Sequence, residues 1–236
     1  IGLAALLTGA EKYYAFDVVK HTILNKNINI FKELVYLFKE KVSIPDKDEF
    51  PEIEPEIQSK DFPSQLFNEN FLSHKKIELI ENDLLSGGGE IIQYFVPWNK
   101  LNGLLEETVD LIFSQAVMEH VVDLENAYKI MFRWLKKGGF ISHQIDYKAH
   151  ETHKIWNGHW KYNDLIWKII MHGRSYPINR YPHSVHIGLI EKVGFKIKKV
   201  LKVERLDGYQ AYQIPNFKHF TKEDLVTASA HIIAEK

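Results

Sequence analysis

VDLIFSQAVMEHVVDLENAYKIMFRWLKKGGFISHQIDYKAH, residues Val109 to His150, decides the fold. Val109 to Phe113 is a run of buried-strand length, with Asp110 at its edge, that stops at Ser114. After a short polar crossing, Leu124, Ala127, Tyr128, Met131 and Leu135 fall at i, i+3, i+4, i+7 and i+11, one helical face. Asp123 can cap the first turn. Lys136 and Lys137 suit the negative end of the helix dipole, and Gly138-Gly139 supplies a stop. Phe140 to Ile145 resumes as a strand, so the stretch predicts a βαβ unit of a parallel sheet. Ligands of open sheets bind beyond the carboxyl ends of the strands. Ser114, Gln115, Glu119 and His120 follow the first strand, and Asp146 and His150 follow the second.

Outward from this unit, the chain of 236 residues is 45% hydrophobic, enough for one core with an insertion. Thirty basic residues against 31 acidic ones leave a net charge of -1, so no overall field favours nucleic acid or an anionic membrane. With no cysteine there is neither a disulfide nor a thiolate metal site, which suits a reducing compartment. The apolar run at 1–10 is too short to span a bilayer and has no basic leader, so a cytoplasmic protein with no membrane partner is expected. The chain starts at Ile1, inside what reads as a helix, and further residues are expected upstream.

The first helix ends at Gly9 and is followed by a strand over Lys12 to Phe16 that ends in Asp17. An acid at that place can accept hydrogen bonds from both ribose hydroxyls of a nucleotide, or serve only as a turn residue. Leu24, Ile28, Phe31, Val35 and Phe38 predict an amphipathic helix. Residues 43–75 hold Pro45, Pro51, Pro55 and Pro63 among many acids, and read as an inserted lid or solvated surface excursion. Lys76 to Ile80 reads as a strand, with Asp83 beyond it as the acceptor for an adenine amine; the glycines at 87–89 read as a turn. Ile91 to Val96 is a short extended piece.

Residues 147–186 are dense in His, Trp, Tyr and Asn, which suits the wall of a substrate pocket or an aromatic cap. Ile187 to Val193 reads as a helix stopped by Gly194. A lysine-lined edge or antiparallel strand follows over 195–203, and the last strand falls near 230–234. The fold class is α/β, a Rossmann-like mostly parallel sheet with flanking helices and an antiparallel C-terminal edge.

VDLIFSQAVMEHV, then a helix, LKKGG and a further strand, resembles the latter half of the nucleotide-binding core of class I S-adenosylmethionine-dependent methyltransferases. AFD ending at Asp17 resembles their second strand, and GLIEKVGFKI the helix and strand after their substrate insertion. SHQIDYKAH, WNGHW, INR and PHSVH further resemble bacterial members associated with surface-glycan biosynthesis, although related sequences often carry an acid where Ala149 stands. The resemblance implies a single methyltransferase-like domain over 1–236 whose first strand and glycine loop lie before Ile1. It also implies S-adenosylmethionine as cofactor, contacted by Asp17, Asp83, Ser114 and Gln115.

Transfer of a methyl group to the hydroxyl of a sugar or other small acceptor needs alignment and a base for the proton. His150 is placed first as that base and His120 second, with Asp146 to orient either one or hold a hydroxyl. Glu119 and His143 suit structural hydrogen bonding, and His143, Trp160, Tyr162, Asn179 and Arg180 are the candidate acceptor contacts. His143, Asp146, His150 and His153 could instead be read as metal ligands. They share no ligand spacing on one element, so no metal is expected. Two other functions compete: a non-catalytic binding or scaffold protein with an incomplete cofactor site, and a nicotinamide-dependent oxidoreductase.

Overall fold

The computed structural model describes residues 1–19, 21, 23–45, 59–98, 106–174, 176–214 and 220–236. The described residues fall into two compact units, one within 1–98 and the other within 106–236. Each is described on its own.

In the first unit, α1 (Gly2–Leu7) leads to β1 (Tyr13–Phe16), and α2 (Leu24–Lys39) and α3 (His74–Leu85) precede β2 (Ile92–Phe95). β1 and β2 pair in parallel, Tyr13 opposite Ile92 and Phe16 opposite Phe95. Leu6, Leu7, Phe31, Ile80, Leu84 and Ile91 form the core, flanked by Ile28, Val35 and Phe38 from the expected face of α2. Leu24, at the start of that face, is exposed. Most of the proline-rich, acidic part of the excursion, 46–58, lies outside the described residues; two short 3-10 turns follow it, Ser64–Leu66 and Glu69–Leu72.

The strand expected over Lys76 to Ile80 is instead the body of α3. Ile77, Ile80 and Leu84 turn inward while Leu79 is exposed, a helical spacing that β-branched residues beside charged ones disguised as alternation. Asp83 therefore does not leave a strand. Its buried carboxylate accepts the amide N–H groups of Glu90, Ile91 and Ile92 at 3.1, 3.2 and 2.8 Å, tying the end of α3 to the start of β2. Three of its acceptor positions are thus taken by backbone amides.

The second unit is a four-stranded sheet in the order β3-β4-β6-β5. β3 (Val109–Gln115) and β4 (Leu135–Asp146) are parallel and joined by α4 (Leu124–Trp134), as the βαβ reading requires. Asp123 caps α4 through Oδ1 on the Asn126 amide at 3.2 Å. The helix stops four residues before the glycines thought to end it, because Leu135 already pairs with Val109 across a register break. Gly138 and Gly139 carry the strand past that break, Gly138 at φ +81°, and both exchange backbone bonds with Lys236. α5 (Asp164–Met171) is a helix inside 147–186, where none was expected, and buries Trp167.

α6 (His183–Val193) begins four residues ahead of the expected start. Asp224 accounts for this: its fully buried carboxylate accepts from the amide and hydroxyl of Ser184 and from the Thr221 amide, each at 2.8 Å. Gly194 ends α6 in the left-handed conformation. β5 (Lys196–Glu204) is the antiparallel edge, and β6 (Thr227–Glu235) lies antiparallel between it and β4. Ile141, His143 and Ile145 alternate on the buried face of β4, and Ile232 is fully buried on β6. Among the described residues, no helix is long and apolar enough to cross a membrane.

An Asp83→Ala substitution should cost about 3 kcal/mol, since three amides lose a charged acceptor. Asp83→Asn, which keeps one acceptor oxygen, should cost about half as much, and urea denaturation of both variants measures the difference.

Candidate active site

The carboxyl ends of β3 and β4 are parallel neighbours, so the residues that follow them meet. Beyond Gln115, Ala116 takes a positive φ of 51° and the chain enters a 3-10 turn, Met118–His120. Beyond Asp146, a turn puts His150 and Glu151 at φ 43° and 64°. Positive φ in residues with a side chain is costly and persists where the surroundings enforce it. Arg174 supplies one such restraint on this turn, its guanidinium donating to the His150 carbonyl at 3.1 Å.

Asn179 holds the first turn. Its side-chain amide donates to the carbonyls of Met118 and Val121 at 2.7 and 2.9 Å, and its backbone N–H donates to the Glu119 carbonyl at 2.8 Å. His120 Nδ1 donates to the Pro177 carbonyl at 2.7 Å, which leaves the lone pair on Nε2. The His120 ring lies against His150 and Tyr176, with centroids 5.3 and 5.1 Å apart.

Glu119 is 2% exposed, and neither carboxylate oxygen has a hydrogen bond of acceptable geometry. His150 Nε2 is also buried without a partner, 4.0 Å from Glu119 Oε1. Burial pushes the Glu119 carboxyl up to about 8, against the opposing field of its own backbone amide; the nearby Asp146 carboxylate adds to the rise. Burial lowers the His150 imidazole below its ordinary value, with Asp146 opposing and His120 adding to the fall. Asp146 itself accepts the Lys148 amide at 2.8 Å and faces the Lys148 ammonium at 3.5 Å. The geometry thus gathers Glu119, His120 and His150, with Asp146 in their field.

The other expected residues are placed as follows. Asp17 ends β1 in the first unit, with Oδ1 on the Val18 amide at 2.7 Å and Oδ2 3.2 Å from the Tyr94 hydroxyl. In the second unit, Ser114 Oγ pairs with His143 Nδ1 at 2.7 Å, and Gln115 is exposed. His143 is fully buried in the sheet, so it forms no pocket wall. Trp160 is likewise fully buried, donating Nε1–H to the Arg180 carbonyl and packing edge-on to Phe220.

Arg180 donates to the Tyr162 carbonyl and to Asp164, both at 2.7 Å, and covers the Trp167 ring. Tyr162 donates its hydroxyl to the Thr152 carbonyl and borders an open depression with Glu151, Thr152, His153 and Lys154. Glu119, first taken for a structural hydrogen-bonding residue, is buried with neither carboxylate oxygen hydrogen-bonded. The available clue was its place beside His120 just after a strand. Asn179, expected to touch the acceptor, instead braces the turn.

Residues 88–142 match the family model described as a methyltransferase domain. No curated protein is matched by the chain. Among solved structures, the chain is similar to an S-adenosylmethionine-dependent methyltransferase from Mesorhizobium loti, at 15% identity and a TM-score of 0.41 over 70% of this chain and 77% of that one. It is also similar to a SAM-dependent methyltransferase from Methanosarcina mazei, at 16% identity and a TM-score of 0.42 over 70% and 78%. A third similarity is to the [4+2]-cyclase SpnF, at 11% identity and a TM-score of 0.40 over 70% and 63%.

Burial sets the pH dependence of stability. It lowers His143, His159 and His186 to about 3 each. Between about pH 6.5 and pH 3 the unfolded chain binds protons that the folded chain refuses. Stability should therefore fall on acidification, by about 1.4 kcal/mol per pH unit for each histidine. Glu119 acts in the opposite sense: its folded state holds the proton up to about pH 8, so its contribution is lost as pH rises through that value. In urea denaturation, Glu119→Gln should match the parent near pH 4.5 and exceed it in stability at pH 8.5.

Proposed function

We propose that the chain is an S-adenosylmethionine-dependent methyltransferase acting on a hydroxyl of a small or glycan acceptor, with an imidazole at the ends of β3 and β4 as base. The observation that supports this reading is the meeting of His120, His150 and Glu119 at the carboxyl ends of the parallel strands β3 and β4, with Glu119 and His120 inside the segment, 88–142, that matches a methyltransferase domain. Asp17 is proposed to bind the cofactor ribose, and Ser114 and Gln115 to line its path. A cytoplasmic location and a role in glycan biosynthesis belong to the same proposal.

In the transfer, the bond between the methyl carbon and the sulfonium sulfur breaks with its electron pair going to sulfur, while the acceptor oxygen forms the new bond to carbon. The hydroxyl proton passes to His150 Nε2. A depressed basicity keeps that nitrogen unprotonated at neutral pH and ready to accept. Asp146 stabilises the imidazolium that forms, and Glu119, neutral at that pH, adds no second charge. The acceptor would enter across the depression beside Tyr162, which begins one residue after His150.

Titration calorimetry should show S-adenosylhomocysteine binding with micromolar affinity and NAD not binding; NAD binding alone would instead support hydride transfer, and neither a scaffold. With radiolabelled S-adenosylmethionine and a panel of monosaccharides, His150→Ala should lower turnover by about 10²- to 10⁴-fold with unchanged S-adenosylhomocysteine affinity. Unchanged turnover would remove His150 as the base.

A further inference from the structure

We infer that Glu119, His120 and His150 form a binding site for one divalent transition-metal cation. Their ligating atoms lie within 4.8 Å of one another, a grouping absent from the four residues weighed as ligands on sequence grounds. Donors about 2.1 Å from a tetrahedral ion sit about 3.4 Å apart, so the 4.0 Å between Glu119 Oε1 and His150 Nε2 must close by about 0.6 Å, and the widest separation, up to 4.8 Å, by up to about 1.4 Å, through side-chain rotation.

Three further features point to a cation. A buried carboxylate with both oxygens unbonded is costly, and a bound cation supplies what it lacks. The unpartnered His150 Nε2 faces that carboxylate. The His120 bond to the Pro177 carbonyl is the outer contact that metal-bound imidazoles ordinarily make, since it orients the ring and keeps its other nitrogen unprotonated.

Two imidazoles and one carboxylate suit zinc, cobalt, nickel, iron or manganese better than the oxygen-seeking magnesium and calcium. Three protein ligands leave positions open for an oxygen of the acceptor. The His150 side chain is partly exposed while its Nε2 is buried, so the ligand face points inward.

The inference extends the proposed function, resting on it only for the identity of the incoming oxygen. With a cation held by His120 and His150, neither imidazole would be free to act as base, and the cation would supply Lewis acidity to a bound hydroxyl instead. In that state the hydroxyl proton would leave to solvent.

The test is titration of the chelator-stripped chain with Co²⁺, without S-adenosylmethionine, followed by visible absorption. One ion per chain should bind with micromolar or tighter affinity. His120→Ala and His150→Ala should each weaken it at least tenfold, while His172→Ala, at an exposed histidine outside the cluster, should not. Glu119→Gln should weaken it similarly, with circular dichroism checking that the variant folds. No uptake, or uptake unchanged in His120→Ala and His150→Ala, overturns the site. Cobalt uptake without S-adenosylhomocysteine binding would refute methyl transfer alone; the converse would refute the metal site alone.

Discussion

Three hydrogen bonds from Asn179 to the turn after β3 are the constraint on which the candidate site depends. They occupy the carbonyls of Met118, Glu119 and Val121, so the turn is closed by a side chain distant in sequence. The Glu119 side chain of that turn is buried with neither carboxylate oxygen hydrogen-bonded. An acid in a flexible loop would swing out to water. Here the backbone is clamped from a segment nearly sixty residues away, and the cost of burial appears instead as a carboxyl that holds its proton to about pH 8.

The turn after β4 is restrained in a comparable way. Arg174 engages the His150 carbonyl, and the two left-handed residues there aim the imidazole back across the strand ends. Such backbone conformations are unfavourable in isolation and are tolerated where surrounding contacts determine the path. The contacts on the two turns come from Arg174 and Asn179, and of these Asn179 was expected to touch the acceptor. Elsewhere in 147–186, Trp160 and Arg180 are bonded to each other and to Tyr162 and Asp164, while Asn179 is bonded to the turn.

Asp83 and Asp224 show the same use of buried carboxylates in a wholly satisfied form. Each accepts three hydrogen bonds and joins elements distant in sequence: the end of α3 to β2, and the start of α6 to the turn before β6. Glu119 is the contrasting case, equally buried and unbonded. This contrast between bonded acids and an unbonded one is invisible to composition, because the three side chains are nearly identical in chemistry and differ only in what the fold brings to them.

Sequence periodicity alone determined the βαβ unit, the Asp123 cap, the Gly194 stop and the antiparallel edge, because these follow from side-chain spacing and local backbone preference within one or two turns. It also placed His120 and His150 near each other, since parallel strands deliver their carboxyl ends to one side. Tertiary structure decided the helical state of 76–80, where Ile77, Ile80 and Leu84 had a core to face, and the early start of α6, where Asp224 arrived from forty residues away. It decided, too, that Glu119 lies unpaired beside two imidazoles while His143 is locked to Ser114. Such outcomes depend on which distant donors remain after the chain closes on itself, and local sequence carries no record of that.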